Sequence, residues 1–110
     1  MPTLFTKRHK YGAVPVTIDG IRFASKKEGK RYGELKLLAK AGKIKHLELQ
    51  VKYPFQLNRE HMFTYIADFT YWDCETDRNV IEDVKGVRTP LYRLKKKLIE
   101  NQYDLEIVEI

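Results

Sequence analysis

The sequence predicts an α/β fold in which a small mixed β-sheet is flanked by two helices and preceded by an N-terminal hairpin. Three observations carry this. Two segments, "SKKEGKRYGELKLLAKAG" and "TPLYRLKKKLIENQ", combine capping residues with helical spacing of apolar positions. Between and after them lie runs rich in branched and aromatic residues, "IKHLELQVKYPFQLN", "HMFTYIADFTYW", "VIEDVKG" and "DLEIVEI". The two kinds of segment alternate as hairpin, helix, three strands, helix, strand, which is an α/β layering rather than a bundle or a sandwich. A chain of 110 residues with 43% hydrophobic and 33% charged residues suits one folded domain with one core.

Residues 1–12 carry Lys7, Arg8 and Lys10 without periodicity and read as a basic arm. In "VTIDGIRF" the Asp19-Gly20 pair favours a type I′ turn, so a short hairpin is expected there. Ser25 followed by Glu28 forms a capping-box pattern, and Gly42 after the last apolar position supplies a C′ residue; residues 25–41 are expected to be helical. Gly29 and Gly33 each weaken that helix by about 1 kcal/mol relative to Ala, which points to the close approach of a neighbour or ligand. Pro54 marks a bend or a sheet edge in the first long strand. In the second, Phe63, Tyr65, Ala67, Phe69 and Tyr71 alternate with Met62, Thr64, Ile66, Asp68, Thr70 and Trp72; both sets are largely apolar, so cover on both faces is expected. "DCETDRN" turns the chain into a strand on which Ile81, Asp83 and Lys85 share a face, with Val80, Glu82 and Val84 opposite. Thr89 caps and Pro90 opens the second helix, whose apolar Leu91, Leu94, Leu98 and Ile99 are expected to pack on the sheet. Leu105, Ile107 and Ile110 alternate with acids in a final strand.

The net charge of +6 is unevenly spread. Residues 1–53 hold thirteen Lys and Arg against four acids, whereas residues 54–110 hold eight against eleven. One half suits a polyanion and the other a cation such as a metal. The sequence has no apolar run near the roughly 20 residues of a membrane span and no signal-peptide core, so a cytoplasmic protein without a membrane partner is expected. Cys74, the lone cysteine, is expected to be an inert surface or strand-end thiol.

Asp68 sits inside an apolar strand, and leaving a carboxylate there costs several kcal/mol unless it is paired or metal-bound. If the strands carrying Asp68 and Asp83 pair as an antiparallel hairpin, the two carboxylates face each other at roughly 5 Å. A hard divalent cation between them relieves the repulsion, and Mg²⁺ is usually held by one or two carboxylates. Lys85, beside Asp83, is then placed to contact a phosphate or a metal-bound water. Glu28 has two readings of equal weight: the capping box explains it completely, and its stripe with Tyr32 and Leu35 also faces the sheet. Two other metal readings fail. The EF-hand-like "DCETDRN" has Arg78 in place of the glycine and Val84 in place of the closing glutamate, and His9, His46 and His61 are not at zinc spacings with Cys74.

The pattern Asp68 … Asp83-Val84-Lys85 resembles the PD-(D/E)XK nuclease core, with Ala67 where that motif has its leading proline. With "FASKKEGKRYGEL", "IKHLELQVKYPF", "YIADFTYW" and "IEDVKG" in that order, residues 20–108 are similar to a family of small phage-encoded endonuclease-like proteins. They are similar also to transposase-associated endonuclease subunits and virus-type replication-repair nucleases. The resemblance implies a restriction-endonuclease-like core and a metal-dependent DNA endonuclease, with branched or Holliday-junction DNA of phage recombination or replication as the expected substrate. It implies that Asp68, Asp83 and the Val84 carbonyl bind Mg²⁺ or Mn²⁺, that Lys85 orients the attacking water, and that Glu28 matches a first-helix acid completing the site. Gln50 matches a glutamine found after the first strand in some members. Glu82 would take the acid's place only with the register slipped by one, so Asp83 is preferred.

The DNA contacts expected from charge are Lys26, Lys27, Lys30 and Arg31 on the first helix, Arg88 after the site strand, and Arg93, Lys95, Lys96 and Lys97 on the second helix. Such contacts position a backbone without reading bases, which favours recognition by shape. A homodimer would let two sites cut two strands. A DNA-binding module that keeps the fold without cleavage is the competing reading.

Overall fold

The computed structural model describes residues 14–110, so the basic arm falls outside the described residues. In order the elements are β1 (Val16–Ile18), β2 (Ile21–Phe23), α1 (Lys26–Lys40), β3 (Ile44–Leu57), β4 (Glu60–Asp73), β5 (Arg78–Asp83), α2 (Pro90–Tyr103) and β6 (Ile107–Glu109). β1 and β2 form a two-stranded hairpin, and the other strands form a mixed sheet in the order β3-β4-β5-β6, antiparallel except for the parallel β5–β6 pair. The small mixed sheet, two helices and N-terminal hairpin expected from the sequence are all present.

Local chemistry explains most boundaries. Asp19 and Gly20 take φ of 54° and 75° between the paired Ile18 and Ile21, as a two-residue I′ turn requires. The Ser25 side chain accepts from the Glu28 N–H at 3.1 Å. At the other end of α1 the Gly42 N–H reaches Ala39 O and the Lys43 N–H reaches Leu38 O, a Schellman closure with Gly42 at φ 78°. Thr89 Oγ1 accepts from the Tyr92 N–H at 3.1 Å, with Pro90 opening α2. A second tight turn, Asn58-Arg59 with φ of 52° and 68°, joins β3 to β4 between the paired Leu57 and Glu60. Its Asn-Arg pair lacks the glycine by which such turns announce themselves.

Two apolar clusters result. Phe23, Tyr32, Leu35, Ile44, Phe69 and Tyr71 pack around α1, and Tyr65, Ala67, Ile81, Ile99 and Ile107 pack under α2. The stripe Phe63 to Tyr71, read from the sequence as one face, is therefore divided between two clusters. The division falls where Gln50 adopts φ 54° and the β3–β4 ladder skips the rung opposite Asp68. A left-handed residue breaks the two-residue alternation of a strand, so Leu47 and Leu49 before it join the first cluster, and Tyr53 and Phe55 after it the second.

Cover of β4 is also less complete than its composition suggests. Met62 is 52% and Ile66 44% exposed. A 14-residue strand is about 45 Å long and the 14-residue α2 about 21 Å, so one helix shields only part of that face. On α2 itself Leu91 and Leu94 are exposed; the core-facing line runs instead through Tyr92 and Ile99. β5 ends at Asp83, leaving Val84 and Lys85 just beyond the strand, and β6 covers only three of the residues expected of it. Pro54 lies on the edge strand β3, where its carbonyl accepts from Gln102 and Tyr103.

Candidate active site

β4 and β5 pair with Phe69 opposite Glu82, which puts Asp68 and Asp83 on the next rung, facing one another as their spacing predicts. The Val84 N–H donates to Asp68 Oδ2 at 2.8 Å and so fixes that carboxylate where the ladder ends. Lys85 Nζ stands 3.6 Å from Asp83 Oδ2. From α1, Glu28 is buried, and its Oε2 accepts from Gln50 Nε2 at 3.3 Å. The left-handed Gln50 that divides the core thus also reaches over to Glu28. Lys26, Lys27, Glu28, Asp68, Val84 and Lys85 line one open cleft of about 480 Å³, and Lys27 Nζ contacts the Lys85 carbonyl at 3.4 Å.

The acids of the site are poorly solvated. Asp83 is wholly buried; desolvation, then the neighbouring Asp68 carboxyl, push its pKa up to about 7. Asp68 and Glu28 are raised as well, mainly by desolvation. The Ala24 main chain and the Lys85 charge draw Glu28 back toward the charged form. Asp83 Oδ1 is buried without a hydrogen-bond partner. Among the described residues no group of three His, Cys, Asp or Glu side chains stands in metal-ligating arrangement, so a cation here would rest on two carboxylates, main chain and water.

Two residues that the sequence did not single out touch Asp83 and Lys85. The Tyr65 hydroxyl donates to Asp83 Oδ2, and the Tyr92 ring lies under Lys85, with Nζ 4.8 Å from its centroid. Burial raises both phenols far above their usual range, so each stays protonated. A tyrosine in an apolar strand has no sequence signature that separates this role from packing.

Glu82 is turned the other way, toward α1. It is 1% exposed, takes a bidentate pair from Arg31 at 2.8 and 2.6 Å, and accepts from Tyr71 at 2.5 Å. Arg31, placed among the DNA contacts by its charge, is committed inside the fold to Glu82 and Glu34. The other cations divide. Lys26 and Lys27 line the cleft and Lys30 is exposed on α1. Arg88 pairs with Glu109 at 2.9 Å, and Lys96 lies near Glu100 and Glu109. Arg88, Arg93, Lys96 and Lys97 border a separate groove of about 390 Å³, and Lys95 lies over Phe63. A larger depression, about 970 Å³, opens elsewhere on the sheet and includes none of the cleft residues.

Fold and cleft together define a small mixed α/β protein that gathers acids from a helix and two strands beside a lysine. The chain belongs to the family described as protein of unknown function DUF1064, whose model matches residues 8–108. No curated protein and no solved structure matches it. No described helix is long and apolar enough to cross a membrane.

Proposed function

We propose that this chain is a metal-dependent DNA endonuclease of the PD-(D/E)XK type that acts on branched DNA of recombination or replication, in the manner of a junction resolvase. The observation that carries the reading is the meeting of Asp68, Lys85 and Glu28 in one cleft that Lys26 and Lys27 also line, with Asp83 buried directly behind it beside Asp68 and Lys85. The donor set fits a hard cation: two opposed carboxylates, a buried Asp83 oxygen with no other partner, and acid pKa values raised first by desolvation. Asp68, Asp83 and the Val84 carbonyl would hold Mg²⁺ or Mn²⁺, and Glu28, the third acid of the site, would meet the ion's waters. The ion, when bound, supplies Lewis acidity at the scissile phosphate.

The chain's own groups do the rest. Asp68 is held by the Val84 N–H and Asp83 by the Tyr65 hydroxyl, so neither carboxylate needs to reorganise. Lys85, steered by Asp83 and the Tyr92 face, presents an ammonium that orients the attacking water and offsets developing phosphate charge. Lys26 and Lys27 draw the DNA backbone to the cleft. A DNA-binding module without cleavage is the second reading, favoured by the lack of a three-residue ligating group among the described residues.

The test incubates supercoiled plasmid, linear duplex, single strands and a four-way junction with Mg²⁺, Mn²⁺ or EDTA. Metal-dependent nicking, strongest on the junction and lost in Asp83→Ala and Lys85→Ala, is the expected result. Undiminished cutting by those variants rejects the site assignment. Binding to all substrates with no cleavage in any metal establishes the second reading.

A further inference from the structure

The 970 Å³ depression lies where α2 stops covering the sheet. α2 ends at Asp104, whose left-handed backbone turns the chain back toward β6. The strands continue past this point, so Val51, Thr70 and Trp72 floor an open hollow within the size range of preformed binding clefts. Its wall is anchored, because the Tyr103 hydroxyl donates to Pro54 O at 2.6 Å and its ring meets Tyr53 edge to face at 5.3 Å. Tyr103 and Val108 remain 39% and 40% exposed, so apolar surface is left open on a fixed frame.

The rim has an unusual charge for a protein of net charge +6. Glu48, Asp73, Asp77, Asp104 and Glu106 surround the hollow against one cation, Arg78, and none of the five acids is in a salt bridge among the described residues. Unneutralised carboxylates around an aromatic floor repel nucleic acid phosphates, and they complement a cationic, partly apolar surface.

We propose that this face docks a Lys- and Arg-rich amphipathic segment of a partner protein, whose apolar side seats on Trp72, Tyr53 and Tyr103 while its cations meet the rim. The inference is independent of the endonuclease reading, since it uses no residue of the cleft. Trp72 is the chain's sole tryptophan and reports directly on the site.

The probe is a Lys- and Leu-rich amphipathic peptide titrated into the full chain, with Trp72 fluorescence as the readout. The expected result is a saturable blue shift that weakens with salt. Glu48→Lys combined with Glu106→Lys, both exposed, weakens the peptide roughly tenfold or more, while Asp83→Asn leaves it unchanged. Absence of a saturable shift overturns the proposal, as does equal binding by the charge-reversed protein with its fold intact by circular dichroism. A Trp72 shift that grows with protein concentration alone assigns the face to a second copy and likewise overturns it.

Discussion

Asp83 is costly to the fold and central to the proposed site. Its carboxyl is fully buried beside Asp68, with one oxygen satisfied by Tyr65 and the other unpartnered. Its folded pKa, raised from 3.8 to about 7, means the native state binds a proton that the unfolded chain releases. The sign follows: stability is greatest below the unfolded value and declines as pH rises through the window from about 4 to 7. The loss is on the order of 4 kcal/mol, given about 1.36 kcal/mol per unit. Thermal melts of the metal-free protein should therefore show Tm falling from pH 5 to pH 8. Asp83→Asn, neutral throughout, should flatten that profile and melt higher than the parent at pH 8. If Mg²⁺ at pH 8 restores the parent's Tm and leaves the variant's unchanged, the carboxylate is a cation ligand.

Among the elements, α1 carries the sharpest contrast. A Cβ on Gly29 would lie 2.7 Å from Val16 Cγ2 and 3.0 Å from Ile18 Cδ1, whereas one on Gly33 would meet nothing within 4 Å. Gly33→Ala should therefore gain about 1 kcal/mol from helix propensity. Gly29→Ala should lose about 1–3 kcal/mol by pushing the β1–β2 hairpin off the helix. Urea titrations of both variants measure this, and equal effects would dismiss the hairpin contact as the reason for Gly29. Two glycines four residues apart looked alike in the sequence, because helical spacing does not say which side a neighbour occupies. The same holds more widely. Elements were legible wherever a backbone demand names its residue, as at Asp19-Gly20, Ser25 with Gly42, and Thr89-Pro90. They were not legible where tertiary contacts decide: the Asn58-Arg59 turn, the split of the β4 stripe at Gln50, and the exposure of Leu91 and Leu94 while Tyr92 turns inward. In the cleft, Asp68, Asp83 and Lys85 stood out as charges interrupting apolar strands, but Tyr65 and Tyr92 resemble core residues until their hydroxyl and ring are seen beside a carboxylate and an ammonium.

Across the whole molecule, charge is sorted by surface. Lys26, Lys27 and Lys30 lie at or near the cleft on α1, Arg93, Lys96 and Lys97 border the groove by α2, and the unpaired acids gather around the open hollow. On the endonuclease reading, DNA would be drawn to the cationic surfaces and repelled from the acidic one. Each phosphate neutralised contributes a slope of about −0.9 to the logarithm of the binding constant against the logarithm of salt concentration. Replacing Lys26, Lys27 and Lys30 together by Ala should flatten that slope by up to about 3 and weaken binding alike on every sequence. Arg31 gives the internal control, because its guanidinium is already engaged by Glu82 and Glu34. Arg31→Gln should lower Tm by leaving Glu82 buried without its cation, yet leave the salt slope of the folded protein as it was. Binding measured in EDTA over a range of salt separates the two. A slope unchanged by the triple lysine substitution would move the DNA path off α1, and a slope that fell in Arg31→Gln would mean that Arg31 leaves Glu82 to meet phosphate.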